Sequence, residues 1–109
     1  MGASGIEKIG VIGIGLMGSG IAQVSATYGF DTVVADMSDE VVQRGMARIE
    51  DSLSKLVASY DRSKGQRGMA PEQRDEALAK LRGTSNLQEL LDCELIIEAV
   101  TENYAVKAA

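Results

Sequence analysis

The 109-residue chain contains no histidine, one cysteine and one proline, and only 4% of its residues are aromatic. Without histidine the commonest zinc ligand sets are out of reach, and we predict no metal site. Cys93 cannot form a disulfide within the chain, and we expect a small buried apolar residue rather than a reactive thiol. These absences exclude a zinc enzyme of the common types and an internally cross-linked domain.

Long apolar runs and basic clusters are also missing. No run approaches the roughly 18 residues that span a bilayer, and residues 1–5 lack the charged and apolar regions of a signal peptide. We therefore expect a cytoplasmic protein without a membrane partner. A net charge of −5, with acids and bases interspersed, argues against nucleic acid as a partner.

Gly13, Gly15 and Gly18 form a GxGxxG pattern behind the apolar run 9–12 and ahead of a helix-like stretch. Gly13 permits a tight turn out of a strand, Gly15 lets backbone approach a pyrophosphate, and Gly18 lets the helix pack closely on the sheet. The helix that begins near Leu16 points its free N–H groups at the phosphates. The pattern predicts a dinucleotide-binding turn, although glycine-rich turns also occur as plain loops.

A second apolar strand, over roughly 31–36, ends in Asp36. This residue lies in the window about 20 residues beyond the glycines where a ribose-binding acid is expected. An ionised carboxylate accepts hydrogen bonds from ribose hydroxyls and repels a 2′-phosphate, and residues 37–40 contain no arginine. We therefore predict NAD rather than NADP as the cofactor. The alternative is a solvated strand end or a turn residue before the next helix.

Periodicity and turn residues define the elements around this turn. Strand one, over 6–13, lacks alternation, as expected when both faces of a parallel strand are covered. A helix over 16–28 follows, with Gly29 as its left-handed stop. Four of its residues are expected to share a stripe that faces the sheet, namely Ile21, Ala22, Val24 and Tyr28.

A helical hairpin over 38–81 is predicted after strand two. Ser38 caps a long helix whose apolar residues recur at steps of three and four, namely Val42, Met46, Ile49, Leu53, Leu56 and Tyr60. Pro71 opens a second helix that carries Ala77, Leu78 and Leu81. A crossover between parallel strands needs only about a dozen residues. The excess length therefore either contributes to a binding site or only buries its own leucines against the domain edge.

Residues 83–86 suit a short strand three or a turn, 87–91 a brief helix, and 95–100 an apolar strand four. We predict an α/β, Rossmann-type doubly wound parallel sheet with strand order 3-2-1-4. Because 101–109 reads as the start of another helix, we expect 1–109 to be a partial domain. The edge of strand four then predicts a homo-oligomer, formed through 95–100 or by exchange of the unfinished helix.

Three separated motifs resemble those of one enzyme family. They are Ser19-Gly20-Ile21-Ala22-Gln23 behind the glycine turn, Ile49-Glu50-Asp51-Ser52-Leu53 in the hairpin, and the stretch from Asp92 to Asn103. With them the chain resembles the N-terminal domain of 3-hydroxyacyl-CoA dehydrogenases, particularly the bacterial 3-hydroxybutyryl-CoA enzymes. The resemblance implies an NAD-dependent interconversion of 3-hydroxyacyl-CoA and 3-ketoacyl-CoA, with acyl-CoA as the substrate of the complete enzyme.

The resemblance also assigns residues to ligands. The positions that it assigns to the cofactor are Gly13, Gly15, Leu16, Met17, Gly18, Asp36, Ala99, Glu102 and Lys107. Glu102 and Lys107 equally fit an ordinary solvated helix start. Ser52 matches a coenzyme A contact. Lys55 could replace a family lysine where this chain has Ser59, or it is only a solvated cation.

The family's catalytic histidine and its helical C-terminal domain find no match in 1–109, so we assign no catalytic residue and expect the isolated chain to be inactive. Two other interpretations stay open. β-Hydroxyacid dehydrogenases of the hydroxyisobutyrate type share a Gly-x-Met-Gly turn but lack a comparable hairpin between strands two and four. A non-catalytic nucleotide-binding or assembly module would use the exposed strand edge.

Overall fold

The computed structural model describes residues 6–99, which form a four-stranded parallel sheet with helices packed on it. The elements in chain order are β1 (Lys8–Ile12), α1 (Leu16–Thr27), β2 (Asp31–Ala35), α2 (Asp39–Arg62), α3 (Pro71–Ala79), β3 (Leu81–Thr84), a 3₁₀ helix (Leu87–Leu90) and β4 (Leu95–Glu98). The strand order is β3-β2-β1-β4, which confirms the predicted sheet. Among residues 6–99, none of the helices is both long and apolar enough to cross a membrane.

β1 occupies the centre of the sheet, between β2 and β4. Ile9, Gly10 and Val11 are all buried, because both faces of a central parallel strand are covered. The strand is shorter than the predicted 6–13. It ends at Ile12 because Gly13 adopts a φ of +98°, which turns the chain toward α1.

The two faces of the sheet carry cores of unequal size. α1, α2 and α3 cover one face, where Val11 and Val34 pack with Ile49 and Leu53 of α2. On the other face, Leu90 of the 3₁₀ helix packs against Val33 and Ala35 of β2. Gly10 makes room for this contact, since a Cβ there would lie 2.9 Å from Cδ2 of Leu90.

α1 ends as predicted, with Gly29 in the left-handed region at φ +96°, but its inward face was predicted wrongly in part. Val24 and Tyr28 are 56% and 78% exposed and do not face the sheet. The buried face consists instead of small residues: Gly18, Ser19, Ala22, Ser25 and Ala26. Because α1 packs against β1, β2, α2 and α3, it lies too close to them for large side chains along this face.

α2 follows its predicted pattern. Ser38 caps it, with its Oγ accepting a hydrogen bond from the Val41 N–H at 3.2 Å. Val42, Ile49 and Leu53 are buried. The remaining apolar positions of the stripe, Met46, Leu56 and Tyr60, are half-buried.

Boundaries in the second half of the chain also differ from those predicted. Leu81 does not belong to the second helix, because α3 ends at Ala79 and Leu81 pairs with Thr32 as the first residue of β3. The helical hairpin is therefore shorter than 38–81, and β3 begins two residues before the predicted 83–86. β4 ends at Glu98 rather than at residue 100. The helix predicted from residue 101 lies outside the described residues.

Candidate functional site

The glycine turn joins the carboxyl end of β1 to α1, and Gly13 is required there for two reasons. Its φ of +98° favours glycine, and a Cβ would lie 2.6 Å from the carbonyl oxygen of Ala99. The Gly13 N–H donates to the carbonyl oxygen of Ala35 at 2.8 Å. Gly13 therefore closes the turn tightly against both neighbouring strands.

Gly18 and Gly15 differ in what surrounds them. A Cβ on Gly18 would overlap the carbonyl oxygen of Gly13, so the close packing of α1 on the turn depends on this glycine. A Cβ on Gly15 would meet no protein atom within 4 Å. Gly15 has a φ of −61°, which any residue adopts, so nothing in the described part of the protein requires glycine here. The open space lies where a ligand would contact the backbone.

The first backbone N–H groups of α1 are available to bind an anion. Gly15 is the N-cap residue, no side chain caps the helix, and its first turn contains no acidic residue. Leu16 and Met17 are exposed. The first N–H groups of a helix have no partner within the helix and carry its positive dipole end. Together with the open space at Gly15, this backbone fits the pyrophosphate of a dinucleotide.

Asp36 directly follows β2 and faces the turn. Its Oδ2 accepts a hydrogen bond from the Ile14 N–H at 2.8 Å, and its Oδ1 accepts one from the Met37 N–H at 2.6 Å. The side chain is half-buried. The structure therefore brings Asp36 into contact with Ile14 of the glycine turn, 22 residues away in sequence, as the spacing predicted. Its bond to Met37 also gives it the turn-forming role that was the alternative.

Ala99 forms the wall of the turn on the β4 side. It is buried, and its N–H donates to the carbonyl oxygen of Ile12 at 2.8 Å. Its Cβ lies 3.6 Å from the position that a Cβ on Gly18 would take. Glu102 and Lys107, the other two residues assigned to the cofactor beyond β4, lie outside the described residues.

Ser52 and Lys55 lie on α2, and neither lines the cavity beside the glycine turn. Ser52 is half-buried. Lys55 is exposed and pairs with Asp51 at 3.3 Å. The structure thus separates these two predicted substrate contacts from the predicted cofactor contacts.

The cavity beside the turn contains two residues that the sequence analysis missed. It is lined by Ile14, Gly15, Val41, Arg44 and Arg48. Residues 37–40 contain no arginine, and these two arginines lie one and two helical turns further along α2. Their spacing of four residues, on either side of Gly45, was the signal available in the sequence.

At the amino end of the sheet, charged side chains form ion pairs and hydrogen bonds with other groups of the chain. Lys8 Nζ lies 2.8 Å from Oδ2 of Asp92, and this bond raises the pKa of Lys8 and lowers that of Asp92. Glu94 accepts the N–H groups of Lys8 and Glu7 at 2.8 and 3.2 Å, which lowers its pKa. Burial raises the pKa of the half-buried Cys93 thiol, so this cysteine is not activated as a nucleophile.

Comparison with known proteins shows the family to which the chain belongs. The family model described as "3-hydroxyacyl-CoA dehydrogenase, NAD binding domain" matches residues 8–109. A protein of Deinococcus radiodurans named as a probable 3-hydroxybutyryl-CoA dehydrogenase is 46% identical over 100 residues, which are 92% of this chain and 33% of that protein. The 3-hydroxybutyryl-CoA dehydrogenase of Bradyrhizobium diazoefficiens is 38% identical over 96% of this chain and 33% of its own.

A solved structure gives the same result for the fold. The crystal structure of (S)-3-hydroxybutyryl-CoA dehydrogenase from Ralstonia eutropha superposes with a TM-score of 0.79 at 35% identity, covering 94% of this chain and 34% of that chain. The chain thus spans about a third of the length of the relatives that it matches. It belongs to the family of NAD-binding domains of 3-hydroxyacyl-CoA dehydrogenases.

Proposed function

We propose that this chain holds NAD for the interconversion of a 3-hydroxyacyl-CoA and a 3-ketoacyl-CoA. The observation that carries the proposal is the contrast within the glycine turn. Gly13 and Gly18 are required by the packing of the protein itself, whereas Gly15 keeps open a space that the described protein does not fill. This space lies over an uncapped helix start, beside a carboxylate.

Each proposed contact follows from this geometry. The N–H groups of Leu16, Met17 and Gly18 bind the pyrophosphate, because they have no side-chain cap. Asp36 accepts hydrogen bonds from the adenosine ribose, since its carboxylate is held beside Ile14 and retains further acceptor positions. Gly13 and Ala99 form the wall against which the cofactor lies. Glu102 and Lys107 stay predictions for the part of the cleft beyond β4.

NAD, when bound, supplies the hydride acceptor for oxidation at the 3-hydroxyl carbon. The contribution of this chain is to bind and orient: the turn fixes the phosphates and Asp36 fixes the ribose. The chain contains no histidine, and among residues 6–99 we find no other group at the turn that could move a proton from the hydroxyl. We therefore expect no turnover by the 109 residues alone.

We infer that coenzyme A contacts α2 through Ser52 and Lys55. Lys55 is exposed and has an ion-pair partner, Asp51, that an incoming phosphate would replace. The hairpin is also much longer than a crossover requires. Replacing both residues with alanine is expected to weaken coenzyme A binding and to leave NAD binding unchanged, because neither residue lines the cavity at the turn.

Calorimetric titration with NAD, ADP-ribose and NADP tests the main proposal. We expect similar affinities for NAD and ADP-ribose, because the contacts described here involve the part that the two ligands share. NADP is expected to bind about tenfold more weakly or worse, since its 2′-phosphate meets the Asp36 carboxylate. The absence of binding by all three ligands would contradict the proposal and favour an assembly module.

We also infer that β4 mediates self-association. It is the edge strand of the described sheet, and its Leu95 and Ile96 are 41% and 46% exposed. Light scattering at micromolar concentration is expected to show dimers or larger species, and Ile96→Lys is expected to give monomers. A monomeric unsubstituted chain would contradict this inference.

A further inference from the structure

α2 passes close to the glycine turn because it has no side chain at the crossing point. A Cβ on Gly45 would overlap the side chain of Ile14, which is itself buried. The helix is therefore near enough for the residues that flank Gly45 to reach the turn. Arg44 and Arg48 are four residues apart and so lie on the same side of α2.

These two arginines line one cavity of about 130 Å³ against Ile14 and Gly15. Arg48 is held in place, because its Nη1 donates to the carbonyl oxygen of Ile14 at 3.2 Å and to Ser19 Oγ at 3.3 Å. The Ser19 hydroxyl donates to the same carbonyl at 2.8 Å. A guanidinium group is therefore fixed at the side of the turn.

Neither of these two arginines forms an ion pair within residues 6–99. Five of the ten basic side chains in these residues form ion pairs, namely Lys8, Lys55, Arg74, Lys80 and Arg82. Three more have no ion-pair partner in the described part of the chain but do not line this cavity, namely Arg62, Lys64 and Arg67. Within residues 6–99, Arg44 and Arg48 have no carboxylate at ion-pair distance. They lie instead beside Gly15, where the backbone is open. Two such cations next to an open backbone have the chemistry of a phosphate site.

We propose that Arg44 and Arg48 bind the adenosine-side phosphate of the dinucleotide, an inference that rests on the proposed NAD site. Asp36 bonds to Ile14 and therefore places the adenosine ribose next to the residue that precedes Gly15. The 5′-phosphate attached to this ribose is the nearer of the two phosphates to the cavity. The N–H groups of α1 contact it from one side and the guanidinium groups from the other.

Titration with 5′-AMP, 2′-AMP, adenosine and ADP-ribose tests this inference, with NMR used for the weaker ligands. Arg44→Gln and Arg48→Gln are each expected to lower the binding affinity for 5′-AMP and ADP-ribose about fivefold to tenfold. Adenosine binding is expected to stay unchanged, because adenosine has no phosphate. Arg62→Gln, at the far end of α2, makes the same change in net charge and is the control. Arg48→Lys keeps the charge and is expected to retain most of the affinity for 5′-AMP.

Three results would overturn the inference and leave the NAD site standing. The first is equal affinity for 5′-AMP in the Arg44→Gln, Arg48→Gln and Arg62→Gln variants. The second is a parallel loss of adenosine and 5′-AMP binding, which indicates a purely structural role for the arginines. The third is a larger loss for 2′-AMP than for 5′-AMP, which assigns them to the other side of the ribose. A failure of the unsubstituted chain to bind any of these ligands or NAD would overturn both the inference and the proposed function.

Discussion

The two ends of the parallel sheet each hold a carboxylate that accepts two backbone N–H groups, but they differ in what surrounds it. At the amino end, the carboxylate of Glu94 accepts two backbone N–H groups and Lys8 pairs with Asp92. At the carboxyl end, the first turn of α1 has neither an acid nor a capping side chain, and Arg44 and Arg48 have no carboxylate partner in the described residues. Within the described residues, the amino end pairs its lysine with an acid, whereas the carboxyl end has an uncapped helix start and two arginines without an ion-pair partner.

This difference supports the proposal that the ligand binds at the carboxyl end of the sheet. Parallel sheets bind their ligands beyond the carboxyl ends of the strands, but that rule gives only the edge. Because a Cβ would clash with the protein at Gly13 and Gly18 but not at Gly15, the proposed site centres on the backbone around Gly15. Substitutions at each end should therefore separate effects on stability from effects on binding.

The largest effect on stability is expected from Gly18→Ala, which disrupts the packing of α1 on the glycine turn at the carboxyl end of the sheet. The added methyl group would overlap the carbonyl oxygen of Gly13, a backbone atom that cannot rotate away. We expect a loss of about 3 kcal/mol or more in the free energy of unfolding, measured by denaturant titration. Gly20→Ala is the matched control, because a Cβ there meets nothing within 4 Å. It is expected to stabilise α1 by about 0.5–1 kcal/mol, and equal effects of the two changes would contradict the packing argument.

The next effect is expected from Gly15→Val, which fills the open space without straining the chain. The φ of −61° suits valine, and no protein atom lies within 4 Å of the new Cβ. We expect thermal unfolding to be nearly unchanged and NAD binding to be abolished, because the side chain occupies the place of the pyrophosphate. An unchanged affinity for NAD would place the pyrophosphate elsewhere.

A smaller effect is expected from Asp36→Ala, which removes the carboxylate that accepts the Ile14 N–H at the turn. Hydrogen bonds to a charged acceptor contribute about 1–3 kcal/mol, and we expect NAD binding to weaken by that amount with the fold intact. Asp61→Ala, at the far end of α2, removes the same charge and should leave the affinity unchanged. Identical affinities of the two variants would exclude Asp36 from the site.

The smallest effect is expected at the amino end, from Glu94→Gln. The N–H groups of Lys8 and Glu7 hold the pKa of Glu94 below its ordinary value of 4.5. Ionised Glu94 therefore stabilises the fold above that pH, and the stabilisation is lost as the pH falls through the lowered pKa. Glu94→Gln should lower the melting temperature slightly at neutral pH and flatten its decline in acid, with Glu50→Gln as the exposed control. A change in the ADP-ribose affinity of the Glu94→Gln variant would mean that the two ends of the sheet are energetically coupled.

Local sequence patterns correctly predicted the parts of the fold that depend on neighbouring residues. The cap at Ser38, the stripe of Val42, Ile49 and Leu53, and the left-handed stop at Gly29 were all predicted and are confirmed. The position of Asp36 beside the glycines followed from the spacing of a βαβ unit. These features need only neighbours along the chain or a fixed strand-to-strand geometry.

The errors arose where tertiary distances decide. Val24 and Tyr28 have the apolar character of a core face, but the close approach of α1 to its neighbours leaves room only for small residues. Leu81 continues the helical spacing of α3, yet pairing with Thr32 draws it into β3. The sequence analysis did not predict that Arg44 and Arg48 lie beside the turn, because their distance from it depends on how closely α2 crosses Ile14.

The carbonyl oxygen of Ile14 accepts hydrogen bonds from two different helices, through Ser19 of α1 and Arg48 of α2. A displacement of α2 along its axis would carry the arginine away from this oxygen and leave the serine as its sole donor in the described structure. The peptide group of Ile14 is therefore the point at which a change in the position of α2 would reach the glycine turn.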